Sequence, residues 1–196
     1  MRYNCTEVIL VREILLEAPM RAWKTQFAKE VEFLRATLPE DGWRVYHIGS
    51  TAIKGIMAKP VVDFLIEVDD LTLLEESLPG LIEGGLHDRG EAGVPGRRFF
   101  LRGTPGGERS AHFHFYQKDH PDVKRHLFFV VYLNVHPEKA HEYEQLKLRL
   151  SKKHRFNAEK YTFGKSDWIQ EVDKQAAEWA KVHEEWVKKE IEALRG

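Results

Sequence analysis

Three short stretches of this 196-residue chain hold side chains whose types and spacing suit chemistry on a phosphate-bearing ligand. The first is HIGST at 47–51, where an apolar run ends in Gly49, Ser50 and Thr51. Glycine lets backbone approach an anion closely, and N–H groups at the start of a helical turn, with the Ser50 hydroxyl, can hold phosphate oxygens. The second is VVDFLIEV at 61–68, in which Asp63 stands among branched apolar residues. An unpaired carboxylate there would cost several kcal/mol, so Asp63 needs a metal ion, a cation such as Lys59, or a hydrogen-bond partner. The third is AHFHFYQ at 111–117. On a strand His112 and His114 point to one face, about 7 Å apart. With Asp63 they would form a two-histidine, one-carboxylate set for a divalent ion. Such a set suits Mn or Zn better than Mg, which prefers oxygen ligands. The plainer use is that one histidine hydrogen-bonds Asp63 while the other is exposed.

Further residues could complete a pocket. His47 precedes the Gly-Ser pair and could lie near the same place. Arg97 and Arg98 open RRFFLR, where alternation sends one inward and one outward; the inward guanidinium could clamp a phosphate, or serve only a surface ion pair. Glu67 shares a strand face with Asp63, but four residues at about 3.3 Å each put them about 13 Å apart, too far to grip one ion. Arg125 and His126 begin a helical stretch, and read alone they pass for solvated helix charges. The basic run KLRLSKKHR, with Lys147, Arg149, Lys152, Lys153 and Arg155, reads better as the cationic end of a helix than as a nucleic-acid surface.

Positioning these groups needs strands and helices that the periodicity supplies. Apolar spacing of three and four predicts a helix over 22–38, and strands are expected at 43–48 and 61–68, the latter covered on both faces. A weak strand pattern covers 8–11, and a helix is expected over 71–82 despite Pro79. Residues 97–102 and 111–117 flank the turn-rich GTPGGERS, a hairpin pattern. After His120-Pro121 three helices are expected, at 123–135, 137–153 and 165–194. The last carries Trp168, Trp179 and Trp186 on one face, which suits a packed interior or a seam between two copies in a homodimer. The chain is therefore expected to be an α/β (α+β) protein, with a core over 1–118 and a helical part over 119–196 packed on it.

Bulk properties narrow the uses. The net charge of −1 supplies no global basic field, which argues against nucleic acid as partner and against an acidic membrane surface. A single cysteine, Cys5, excludes an intrachain disulfide and a cysteine-rich zinc site. The N-terminal residues lack a signal-peptide core and no apolar run reaches the roughly 20 residues that span a bilayer, so a soluble cytoplasmic protein is expected.

Apolar-Gly-Ser followed by Asp-apolar resembles the signature of DNA polymerase beta-type nucleotidyltransferases. Where that superfamily carries its second metal carboxylate, this chain has Leu65, which argues against two-metal transfer. HIGST, AIKGIMAKPVVD, GRRFF, HFH, RHL, and the later Tyr143, Lys147 and Tyr161 together resemble the GrpB family over about residues 25–172. The resemblance implies a nucleotidyltransferase-like mixed sheet with flanking helices and a helical C-terminal part. It implies no established activity, and the joining of some members to a dephospho-coenzyme A kinase domain points to nucleotide or coenzyme A metabolism by association. Three uses stay open: nucleotidyl transfer, with Gly49, Ser50, Thr51, Lys59 and an arginine on phosphates; a nucleotide- or coenzyme-binding module without turnover; and a metal-dependent hydrolase built on Asp63, His112 and His114.

Overall fold

The apolar run around Asp63 becomes strand β2 (Val62–Val68), and the other elements are arranged about it. The computed structural model describes residues 13–103 and 109–196. The expected strand at 8–11 and most of the turn between 103 and 109 lie outside the described residues. β1 (Trp43–Ile48), β3 (Leu86–Asp88), β4 (Arg97–Gly103) and β5 (Arg109–Gln117) complete a five-stranded mixed sheet in the order β1-β2-β5-β4-β3. β2 runs parallel to β5 and antiparallel to β1, so two strands distant in sequence lie side by side.

Alternation divides β2 and β5 into two faces. Val62, Phe64, Ile66, Phe113 and Phe115 pack against α1 (Arg21–Thr37) and α2 (Thr72–Glu83), with Phe27, Phe64 and Phe113 stacked in sequence at 4.9 and 4.6 Å. Asp63, Leu65, His112, His114 and Tyr116 face the other way. Leu65 and Tyr116 join the apolar cluster formed with α3 (Pro121–Val135), α4 (Pro137–Lys153) and α6 (Ser166–Val182). The nucleotidyltransferase-like mixed sheet expected from the sequence is thus present, covered by helices on both faces.

Three short features were not predicted. β3 is only three residues long, and α5 (Ala158–Phe163) is a single capped helix whose Asn157 side chain accepts from Lys160 N at 2.8 Å. The helix expected over 165–194 is two, because α6 stops at His183 and α7 spans Glu184–Glu192. There the His183 Nδ1 lies 2.9 Å from the Trp179 carbonyl that a continuing helix would offer to the His183 N–H, and its ring stacks on Trp179 at 4.7 Å. Of the tryptophans, the half-buried Trp168 stacks on Tyr143 at 4.9 Å and the half-buried Trp179 meets Tyr132 edge-on, while Trp186 lies edge-on against Trp179 and stays exposed. Past α7, His47 N donates to Leu194 O and Gly196 N to Val45 O, which covers the outer edge of β1.

Candidate functional site

Parallel pairing of β2 with β5 sets Asp63 opposite His112 and Leu65 opposite His114, so the carboxylate and both imidazoles share one face. Asp63 Oδ1 lies 2.9 Å from His112 Nδ1 and 3.7 Å from His114 Nε2, and one ligand atom from each residue falls within 4.8 Å of the others. Nitrogen and oxygen ligands held at about 2.1 Å around one tetrahedral ion lie about 3.4 Å apart, so this spacing fits a small divalent cation. Burial works against ionisation of Asp63, but the hydrogen bonds from His112 and His114 outweigh it and hold its pKa far below the usual carboxylate range. Burial also lowers the pKa of His114. An ionised carboxylate beside a neutral imidazole is the protonation state that metal ligation requires. His112 Nε2 is buried with no hydrogen-bond partner among the described residues, and Phe99 lies against both rings at 5.5 and 4.9 Å.

The Gly-Ser turn comes to the same place. Gly49 has φ +70°, and a Cβ built there would stand 2.2 Å from Asp63 Oδ2. The turn therefore lies against the carboxylate with no room for a side chain. Ser50 to Ala52 form one 3-10 turn, with Ser50 Oγ 3.4 Å from the Tyr143 hydroxyl and Thr51 Oγ1 2.9 Å from His47 Nε2. Arg97 also faces the site. Its Nη1 lies 3.4 Å from His114 Nδ1, its other nitrogens donate to the Glu91 and Ala92 carbonyls, and the guanidinium covers Phe99. A donor at Nδ1 leaves the His114 proton on Nε2, so His114 can turn its Nε2 lone pair to an ion only if Arg97 shifts.

Several expected site residues lie elsewhere. His47 is on the opposite face of the sheet, stacked on Phe27 at 4.8 Å, and burial lowers its pKa to about 4. Arg98 points away by strand alternation and binds Asp88 at 2.6 Å, so it is not available to a phosphate at this site. Glu67 bonds Arg44 at 3.4 Å, farther along β2 from Asp63. Arg125 is bound to Asp122 at 2.6 Å and to Asp173 at 3.5 Å, and its Nη2 donates to His126 Nε2 at 3.0 Å. His126 does reach the site, its ring centroid 5.5 Å from that of His114. The arginine-lined recess of Arg35, Arg44 and Arg195 sits at the β1 edge, where each arginine already has a carboxylate.

Tyr143, Lys147, Tyr161 and Lys165 also belong to this neighbourhood, and the sequence reading did not place them there as functional groups. Lys147 is not on the surface basic run: only 1% of it is exposed, and its Nζ donates to the Met57 carbonyl and sits over the Tyr143 ring at 4.7 Å. Lys59 and Lys165 both lie over the Tyr161 ring, at 5.3 and 4.8 Å. The signal was a repeated Tyr-x-x-x-Lys spacing, at 143–147 and 161–165.

Burial first, and then the charge of Lys165, pushes Lys147 down to about 7. Between that value and the ordinary lysine range the unfolded chain binds a proton that the folded one does not, so stability rises with pH across this window and is flat below it. From pH 7 to 9.5 the gain is about 3 kcal/mol. Urea unfolding of the protein and of Lys147→Met at both pH values is expected to show this slope in the former and its loss in the latter; equal slopes would contradict it.

Comparison with known proteins adds the following. The family model described as "GrpB protein" matches residues 13–175. The UPF0157 protein YqkA of Bacillus subtilis is 36% identical over 159 residues, covering 81% of this chain and 46% of that protein. The chain thus spans about half the length of that relative. A dephospho-CoA kinase of Mycobacterium leprae is 25% identical over 186 residues, covering 81% of this chain and 45% of the kinase. The crystal structure of conserved protein GrpB from Enterococcus faecalis superposes with a TM-score of 0.77 at 34% identity, covering 83% of this chain and 96% of that one. Cid1 in complex with its short product ApU superposes with a TM-score of 0.51 at 12% identity, over 75% of this chain and 48% of Cid1, a likeness of fold alone.

Proposed function

The chain belongs to the GrpB family and carries a nucleotidyltransferase-like fold, and from that premise we propose that it binds a nucleotide or coenzyme-like phosphate ligand with a divalent ion and transfers a nucleotidyl group. One observation carries the reading: a side-chain-free turn at Gly49 touches the carboxylate of Asp63, which is hydrogen-bonded to His112 and lies 3.7 Å from His114 Nε2 on the same sheet face. Asp63, His112 and His114 would hold the ion, whose chemistry when bound is to neutralise phosphate charge as the leaving group departs. Ser50 and the backbone of the turn would orient phosphate oxygens, and Arg97 would place a guanidinium beside them. In the transfer itself an acceptor hydroxyl or amine forms a bond to the α-phosphorus. The bond from that phosphorus to the bridging oxygen breaks, pyrophosphate leaves, and the acceptor's proton passes to solvent or to a free imidazole.

A second reading has its own observation. Leu65 is fully buried in the apolar cluster at the position where a second carboxylate would be needed, which suits a pocket that binds without turning over. Thermal unfolding with ATP, CTP, GTP, UTP or coenzyme A, each with Mg, Mn or Zn, separates the two when run beside a pyrophosphate-release assay. A ligand at about 100 times its Kd adds about 2.7 kcal/mol, or about 5–10 °C for a chain of this size. A metal-dependent shift with pyrophosphate release is the expected result. A shift without release would favour the binding module, and no shift with any ligand would reject both.

A further inference from the structure

We infer that Lys59 and Lys165, both over the Tyr161 ring, form a polyphosphate subsite beside Asp63, so that the ligand of this site carries at least two linked phosphates. The inference rests on the reading of the site as a phosphate-and-metal centre and names its substrate class. Its grounds are the charges that the fold brings together and leaves uncompensated. Arg44, Arg98, Arg102 and Arg125 each have a carboxylate partner. Lys59 and Lys165 are half-buried and, among the described residues, rest on the Tyr161 ring without a carboxylate partner. Two half-buried ammonium groups at one aromatic ring repel each other, and an anion bound between them would relieve that repulsion.

The position of the pair points to the same ligand. Lys59 lies four residues before Asp63, where the chain enters β2, and Lys165 stands at the N-terminal end of α6. Both are near enough to Asp63 for its charge to act on their amines. Burial lowers the pKa of both Lys59 and Lys165, and for Lys59 the neighbouring Lys165 is the next cause. Asp63 is the carboxylate whose charge acts on both Lys59 and Lys165, and a single phosphate monoanion would leave the pair under-neutralised. Linked phosphates would supply two or more negative charges to the pair.

The test uses the full chain stripped of metal, titrated calorimetrically with orthophosphate, pyrophosphate, tripolyphosphate and ATP. Tripolyphosphate is expected to bind at least about 10-fold tighter than orthophosphate. Lys59→Gln and Lys165→Gln are each expected to weaken it about 10-fold or more while leaving the unliganded protein as stable as before, or more so, because a repelling charge is gone. Lys152→Gln, on the exposed basic end of α4, is expected to bind as the unmodified protein does. Comparable affinity for tripolyphosphate and ATP would place recognition in the phosphates; tighter ATP binding with the same lysine dependence would add a contact to the nucleoside. If Lys59→Gln and Lys165→Gln bind tripolyphosphate normally, or Lys152→Gln weakens it as much, the subsite does not exist. Ion retention at Asp63 without lysine-dependent binding would remove this inference alone. Lysine-dependent binding by a protein that takes up no ion would instead remove the metal part of the parent reading.

Discussion

Asp63→Asn is expected to leave the protein folded and to cut its affinity for Mn or Zn by more than about 100-fold. Substitutions outside the ligand set typically cost about 10–100-fold in metal affinity, and this one removes an anionic ligand itself. Asparagine has nearly the same shape, so the Gly49 turn and the two imidazoles keep their packing. Its amide offers one acceptor where the carboxylate offered two, and its NH2 cannot ligate. The effect on folding is small because two terms oppose each other. Burial penalises the Asp63 charge, while the bonds from His112 and His114 favour it, so their joint removal changes stability by about 1–2 kcal/mol in either direction. Metal content by mass spectrometry after dialysis against defined Mn or Zn reads the first effect, and urea unfolding reads the second. A folded Asp63→Asn protein that still retains the ion would sink the metal assignment.

What the sequence made legible follows from how local each signal is. Asp63, His112 and His114 each lie in a strand whose alternation fixes a face, and parallel pairing brought the faces together. The Gly-Ser turn needed only its position at the end of β1. His47 was misplaced because the last four residues of β1 are all buried, so no polar-apolar alternation marks which face His47 takes. The pair Arg97-Arg98 carried the alternation but not its phase, which depends on Asp88 and Glu75 from other elements claiming Arg98. Lys147 and Lys165 were hidden for a tertiary reason. They sit on α4 and at the start of α6, and nothing local says that these helices fold over the Asp63 face. A lysine in a run of lysines and arginines looks solvated until the tyrosine one turn before it is seen to be buried. The three-residue β3 and the six-residue α5 are too short for periodicity to register.

Gly49→Ala is expected to cost about 3–5 kcal/mol. Two costs combine. With φ +70° and ψ −170°, Gly49 occupies a region essentially confined to glycine, which costs other residues about 1–3 kcal/mol. The new Cβ would also meet Asp63 Oδ2 at 2.2 Å and Asp63 Cγ at 2.8 Å, far inside contact distance. The carboxylate can retreat only by giving up its bonds to His112 or His114, whose own positions are set by β5 and by Phe99. At about 2–4 °C per kcal/mol for a chain of this size, unfolding should move down by roughly 6–20 °C, with loss of whatever ion Asp63 holds. The two costs separate in a double-mutant cycle. In an Asp63→Ala background the clash with the carboxylate is gone and only the closer approach to the residue 63 Cβ at 2.9 Å remains beside the backbone strain, so the penalty of Gly49→Ala should fall, giving a coupling of about 1–3 kcal/mol. If the alanine costs the same in both backgrounds, the turn and the carboxylate are independent, and the contact on which the phosphate-and-metal reading is built is not an energetic one. If the penalty collapses as expected, Gly49 is glycine because Asp63 must stand where it does, and the bare turn and the charged strand act as one site.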